Sequence, residues 1–140
     1  MYSKVSTFAI KDMVCVDMES TVIELVKILA QVSFTAVPVL GANGKCFGIV
    51  SAKDVFSLIA SGGNINSVKA WEICSHTVIY VDPNITAIQA CQVMRENNVH
   101  HLIVGDVSEP IGMVSTMDIV TKLDNSEKDS LKKHQKGQGS

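Results

Sequence analysis

The chain contains one segment written twice, and no other feature restricts its fold as much. GIVSAKDVFSLI (48–59) aligns with GMVSTMDIVTKL (112–123) at an offset of 64, matching Gly48/Gly112, Val50/Val114, Ser51/Ser115 and Asp54/Asp118. Upstream, VDMESTVIELVKILAQVSFTAVPV (16–39) lies over VDPNITAIQACQVMRENNVHHLIV (81–104) at an offset of 65. Val16/Val81, Asp17/Asp82, Thr21/Thr86 and Val39/Val104 coincide there. The offset changes in the loops 41–47 and 105–111, where a deletion is easily absorbed.

Each copy reads as strand, helix, strand, strand, helix. The first helix opens on a capping box, Thr21-x-x-Glu24 or Thr86-x-x-Gln89, which pairs two orphan backbone donors. Val22, Leu25, Leu29 and Val32 then recur at helical spacing and predict one apolar face. The counterparts Ala87, Ala90, Met94 and Asn97 are less apolar, so the second copy's helix is expected to be more exposed at its end. Short strand-like runs follow at Ala36 to Leu40 and Leu102 to Val104. The chain returns along Cys46 to Val50 and Ile111 to Val114, then enters a second helix at Ser51 or Ser115. One such sheet cannot bury both of its faces alone, but two copies packed together can. The expected divisions are a first repeat at 8–60, a polar Gly-rich linker at 61–67, a second repeat at 68–123 and a flexible polar tail at 124–140.

Composition narrows the function. A formal net charge of −2 and 5% aromatic residues argue against nucleic acid, which needs a basic face or a stacking platform. The N-terminus lacks a signal-type apolar segment, and no apolar run approaches the roughly 20 residues of a membrane span. A soluble, cytoplasmic protein is expected. Cys15, Cys46, Cys74 and Cys91 lack C-x-x-C or zinc spacing, so no metal site is expected and all four read as ordinary buried thiols.

The motif Gly-h-h-Ser-x-x-Asp (h, apolar), twice in one chain, resembles the cystathionine-β-synthase (CBS) domain family over about residues 8–123. The resemblance implies an α/β (α+β) fold of two β-α-β-β-α CBS repeats, packed through their sheets into one pseudo-two-fold module with two clefts. It further implies an adenosyl ligand, namely AMP, ADP, ATP or S-adenosylmethionine, and a flat homodimer that regulates a further protein.

Ser51-Ala-Lys-Asp54 and Ser115-Thr-Met-Asp118 sit where a strand becomes a helix. By themselves they are capping boxes that need no ligand. The same place offers unpaired N–H groups to a phosphate, and a carboxylate can accept from both hydroxyls of a ribose diol. In the family each cleft combines the motif of one repeat with residues of the other. Carried over, the favoured cleft takes Ser51, Lys53 and Asp54 with Thr77, Val78, Ile79, His100 and His101. Backbone groups at Thr77–Ile79, at the start of a strand, would read the adenine edge. His100 and His101 stand where relatives often carry a basic pair at the phosphates. Alternation along a strand turns only one of them inward. The second cleft takes Ser115 and Asp118 with Asp12, Met13, Val14, Phe34, Thr35 and Ala36, and it lacks a basic pair. No nucleophile elbow, Walker loop or metal cluster appears, so catalysis is not expected; a ligand-free dimerising scaffold is the alternative.

Overall fold

A computed structural model describes residues 2–9, 13–31 and 36–122. Asp12, Phe34 and Thr35 of the second candidate cleft, Val32 of the predicted helical face and the tail at 124–140 lie outside the described residues.

The duplication becomes two sheets of the same design. The first contains β1 (Val16–Asp17), β2 (Ala36–Leu40) and β3 (Cys46–Ser51), in that order. The second contains β4 (Tyr80–Val81), β5 (His101–Gly105) and β6 (Pro110–Ser115). In both, the first strand runs parallel to the second and the second antiparallel to the third. The helices of the first copy are α1 (Val22–Gln31) and α2 (Ala52–Ala60). After a short α3 (Ala70–Ile73), the second copy supplies α4 (Ala87–Asn97) and a helix over 116–122, here α5. The architecture is thus the mixed α+β one expected, two β-α-β-β-α repeats. No helix among the described residues is long and apolar enough to cross a membrane.

Each repeat owns a core built from matched positions. Val16, Val22, Leu25, Val37, Val39, Val50 and Val55 bury in one. Val81, Ala87, Ala90, Leu102, Val104, Val114 and Ile119 bury in the other. The smaller alanines of α4 still face inward together with Met94, while Asn97 is exposed, so that helix is more open at its end as its sequence suggested. The Thr86 box is complete: Gln89 N–H donates to Thr86 Oγ1 (3.2 Å) and Thr86 N–H to Gln89 Oε1 (2.9 Å).

The chain divides into two compact units whose borders cut across the repeats. One unit holds Asp12–Val78; the other joins Met1–Lys11 to Ile79–Ser140. Hydrogen bonds explain the division. Val22 N–H donates to Val68 O, and Ala70 N–H to Ser20 O, so the lead-in to the second repeat packs on the first. At the matching places, Ala87 N–H donates to Ser3 O and Val5 N–H to Ile85 O, so the N-terminal lead-in packs on the second repeat. Val5 and Ala70 are both fully buried there. The internal repeat therefore extends upstream of the residues whose identities betray it.

Gly48 shows why the motif begins with glycine. Ile49 and Ser75 exchange two backbone hydrogen bonds (2.9 and 2.8 Å), which pin the lead-in to the free edge of β3. A methyl group on Gly48 would collide with the Ser75 carbonyl oxygen and lie 2.7 Å from Cys74 Sγ.

Candidate ligand-binding site

Both Ser-x-x-Asp motifs form at a strand-to-helix junction. Ser51 and Ser115 end β3 and β6 in extended backbone, and the next residue starts a helix. At the first, Ser51 N–H and its hydroxyl both donate to Asp54 Oδ2 (2.8 and 3.0 Å), and Asp54 N–H donates to Ser51 Oγ (3.3 Å). At the second, Ser115 N–H donates to Asp118 Oδ2 (2.8 Å) and Asp118 N–H to Ser115 Oγ (3.1 Å). The capping-box reading is therefore correct for both motifs. It occupies only one oxygen of each carboxylate. Among the described residues, Oδ1 of Asp54 and of Asp118 accepts no hydrogen bond, and both side chains are half-buried. A carboxylate held in this way is already oriented, with acceptor positions left for a donor such as a sugar hydroxyl.

The two motifs differ in detail. Asp54 Oδ2 accepts two bonds, whereas Asp118 Oδ2 accepts one. Asp118 thus keeps more free acceptor capacity. Lys53 is exposed at the first turn of α2, where the second copy has the uncharged Met117.

Within the Asp12–Val78 unit, Ala36 pairs with Ser51 across β2 and β3. The Ser75 bridge brings the lead-in to the residue before Val50, two positions from Ser51. Thr77 and Val78 follow that bridge outside any helix or strand and precede the first strand of the second sheet, which begins only at Tyr80. The sequence had put them at the strand's start. This matters chemically, because a residue outside a ladder keeps its backbone groups for other partners. Thr77 N–H makes only a long bond to Ser75 Oγ (3.4 Å), and Val78 makes no backbone hydrogen bond among the described residues. Met13 and Val14, the counterparts of Val78 and Ile79 upstream of β1, are likewise outside any strand.

Within the other unit, Ile79 O accepts from Ile103 N–H (2.9 Å). His101 opens β5 opposite Ser115, and His100 O accepts from Thr116 N–H (3.0 Å). The histidine pair therefore lies beside the second motif within its own unit. His100 also lines a cavity between α4 and α5 that the sequence reading missed. Its walls sit at helical spacing and read simply as core or surface until both helices are in place.

The thiols are less uniform than expected. Cys74 is buried and Cys15 and Cys46 half-buried, but Cys91 is exposed on α4. It borders the inward stripe of Ala87 and Met94 and opens into the cavity between α4 and α5. Burial pushes the Cys15, Cys46 and Cys74 thiols above the ordinary value of 9.0, so they stay protonated at neutral pH. With the folded-state value raised, their contribution to stability is present below the unfolded thiol value and lost as pH rises through the folded one. At pH 7, a colorimetric thiol reagent is expected to label Cys91 fast and the other three only on unfolding. Fast labelling of Cys74 would contradict its burial.

No group of three or more His, Cys, Asp or Glu side chains among the described residues could hold a metal ion.

Two β-α-β-β-α repeats, each ending a strand on a Ser-x-x-Asp helix start, define a tandem-repeat α+β fold. The CBS domain family model matches residues 5–61 and 70–125, and the chain belongs to that family. It is 26% identical over 110 residues to Hypoxic response protein 1 of Mycobacterium tuberculosis, covering 78% of this chain and 77% of that protein. It is 32% identical over 89 residues to an uncharacterized protein, MJ1404, of Methanocaldococcus jannaschii. That match spans 63% of this chain but only 21% of the archaeal protein. Among solved structures, the CBS domain pair of MJ0100, in complex with 5-methylthioadenosine and S-adenosyl-L-methionine, superposes with a TM-score of 0.77 at 20% identity. The match covers 90% of this chain and 99% of that one. The CBS-domain protein ATU1752 of Agrobacterium tumefaciens gives 0.76 at 22% identity, covering 86% and 93%.

Proposed function

We propose that the chain is a regulatory, non-catalytic module that binds an adenosyl ligand: AMP, ADP, ATP or S-adenosylmethionine. The observation that carries this reading is the half-used carboxylate of Asp54, fixed by its own helix through Oδ2 with Oδ1 left to accept. The unpaired backbone at Val78 supports an adenine-reading segment. The favoured site takes Ser51, Lys53, Asp54, Thr77, Val78, Ile79, His100 and His101; the second takes Ser115 and Asp118 with residues 12–14 and 34–36. The adenosyl ligands of the MJ0100 pair support the ligand class. Binding across two repeats would favour whichever arrangement of them closes on the ligand, and so bias the binding of a regulated partner. Four free thiols support a reducing, cytoplasmic setting.

A second reading, a dimerising platform, draws on another observation. Phe56 and Ile59 on α2 are 70% and 56% exposed, and Met117 and Val120 on α5 are 64% and 59% exposed. Apolar side chains on the outer faces of both second helices favour a homodimer, with or without ligand.

Thermal unfolding against AMP, ADP, ATP and S-adenosylmethionine tests the two readings. A ligand at a hundred times its Kd is expected to stabilise the fold by about 2.7 kcal/mol. A flat response to all four would leave only the platform.

A further inference from the structure

The cavity between α4 and α5 belongs to one unit and meets the second Ser-x-x-Asp motif only at Thr116, with neither Ser115 nor Asp118 in its walls. It measures about 330 Å³, within the range of small-ligand pockets. Met94, Val99, Ile119 and Val120 supply apolar walls, and Arg95 and His100 the basic groups. On α5 the lining residues Thr116, Ile119 and Val120 share one helical face, and Asp118 falls on the opposite one.

Local backbone builds the cavity. Asn98 ends α4 in the left-handed conformation (φ 52°), and Val99 N–H donates back to Met94 O (3.0 Å). That turn folds Val99 over the end of α4 and starts β5 at the level of α5. The Thr116–His100 backbone bond fixes the other wall. Arg95 is the only arginine in the chain, and it makes no ion pair or hydrogen bond through its side chain among the described residues.

The duplication serves as an internal control. The first repeat carries Ala30 where the second has Arg95, Thr35 where it has His100, Ala52 where it has Thr116, and Phe56 where it has Val120. The second copy therefore has a cation and a histidine where the first has Ala30 and Thr35, carries its hydroxyl at Thr116 instead, and has the smaller Val120 in place of Phe56, all around one hollow. Drift in a structural groove has no reason to combine added basic groups with removed bulk.

We propose that this cavity binds a small amphiphilic carboxylate: an aliphatic body against Met94, Val99 and Ile119, with its carboxylate at the Arg95 guanidinium. Arg pairs with a planar carboxylate through two parallel hydrogen bonds, which a compact ammonium cannot reproduce. This assignment goes beyond the adenosyl site, with which the cavity shares His100, and it rests on Arg95, which that site does not use.

The probe is octanoate, titrated into the full chain while the Met94 methyl and Arg95 side-chain signals are followed by NMR. Saturable shifts of both are expected, with 1-octanol binding at least 10-fold more weakly. Arg95→Gln should weaken octanoate by at least 10-fold and Val120→Phe, which installs the first repeat's residue, should abolish it. AMP titrated into the same two variants reads the other site separately and should behave as in the parent. The proposal is overturned if octanoate shifts neither signal, if octanol binds as well as octanoate, or if Arg95→Gln leaves its affinity unchanged.

Discussion

Gly48→Ala is expected to destabilise the protein by about 3 kcal/mol, a fall in Tm on the order of 10 °C. The added methyl cannot be absorbed by a flexible side-chain end, because it meets the backbone carbonyl of Ser75 as well as Cys74 Sγ. Relief requires the lead-in to move off β3, which breaks the paired Ile49–Ser75 hydrogen bonds. Overpacking of this kind costs about 1–3 kcal/mol, and each lost hydrogen bond adds about 1 kcal/mol. Denaturant unfolding measures the loss. A change below about 0.5 kcal/mol would mean that the edge of β3 is not closed by the lead-in. Gly62→Ala makes a useful comparison, since nothing lies within 4 Å of that site and only its positive φ (82°) is strained.

Asp54→Ala is expected to weaken adenosyl-ligand binding by roughly 10- to 100-fold, the worth of a hydrogen bond to a charged acceptor. It also removes the box at α2, costing about 1 kcal/mol of stability. Asp54→Asn separates the two effects, because its amide oxygen can still accept from Ser51 N–H while the charge is gone. Calorimetry should then show weakened binding with stability largely retained. Asp118→Ala is expected to weaken a nucleotide less. The larger acceptor capacity of Asp118 argues the other way, but for a phosphorylated ligand the cation Lys53 outweighs one spare lone pair. Equal losses in the two variants would overturn that ranking.

The repeat made the fold legible. Matching residues at fixed offsets carried the strand and helix order, the Thr86 capping box and both Ser-x-x-Asp starts, because each depends on contacts a few residues apart; at Thr21 only half of the expected box forms, Glu24 N–H donating to Thr21 Oγ1 (3.4 Å). Other features were illegible because they are long-range. The exchange of lead-ins joins Val5 to Ile85 and Val68 to Val22, and no residue identity advertises it. Thr77 and Val78 carry strand composition, yet the strand begins at Tyr80, where pairing with Ile103 becomes available. Cys91 reads as a helix-interior thiol, but it borders the inward stripe of Ala87 and Met94 and stays exposed at the cavity between α4 and α5. At the site, sequence could name Asp54 without saying how many of its oxygens the helix would consume. The hollow beside His100 needed both helices placed, since Arg95 by itself reads as a solvated cation.

The direct test is calorimetric comparison of AMP with its 2′,3′-dideoxy analogue. If the open oxygen of Asp54 holds a sugar hydroxyl, AMP binds saturably and the analogue binds at least 10-fold more weakly, with the loss disappearing in Asp54→Ala. Equal affinities for AMP and its analogue in the parent protein would contradict the account.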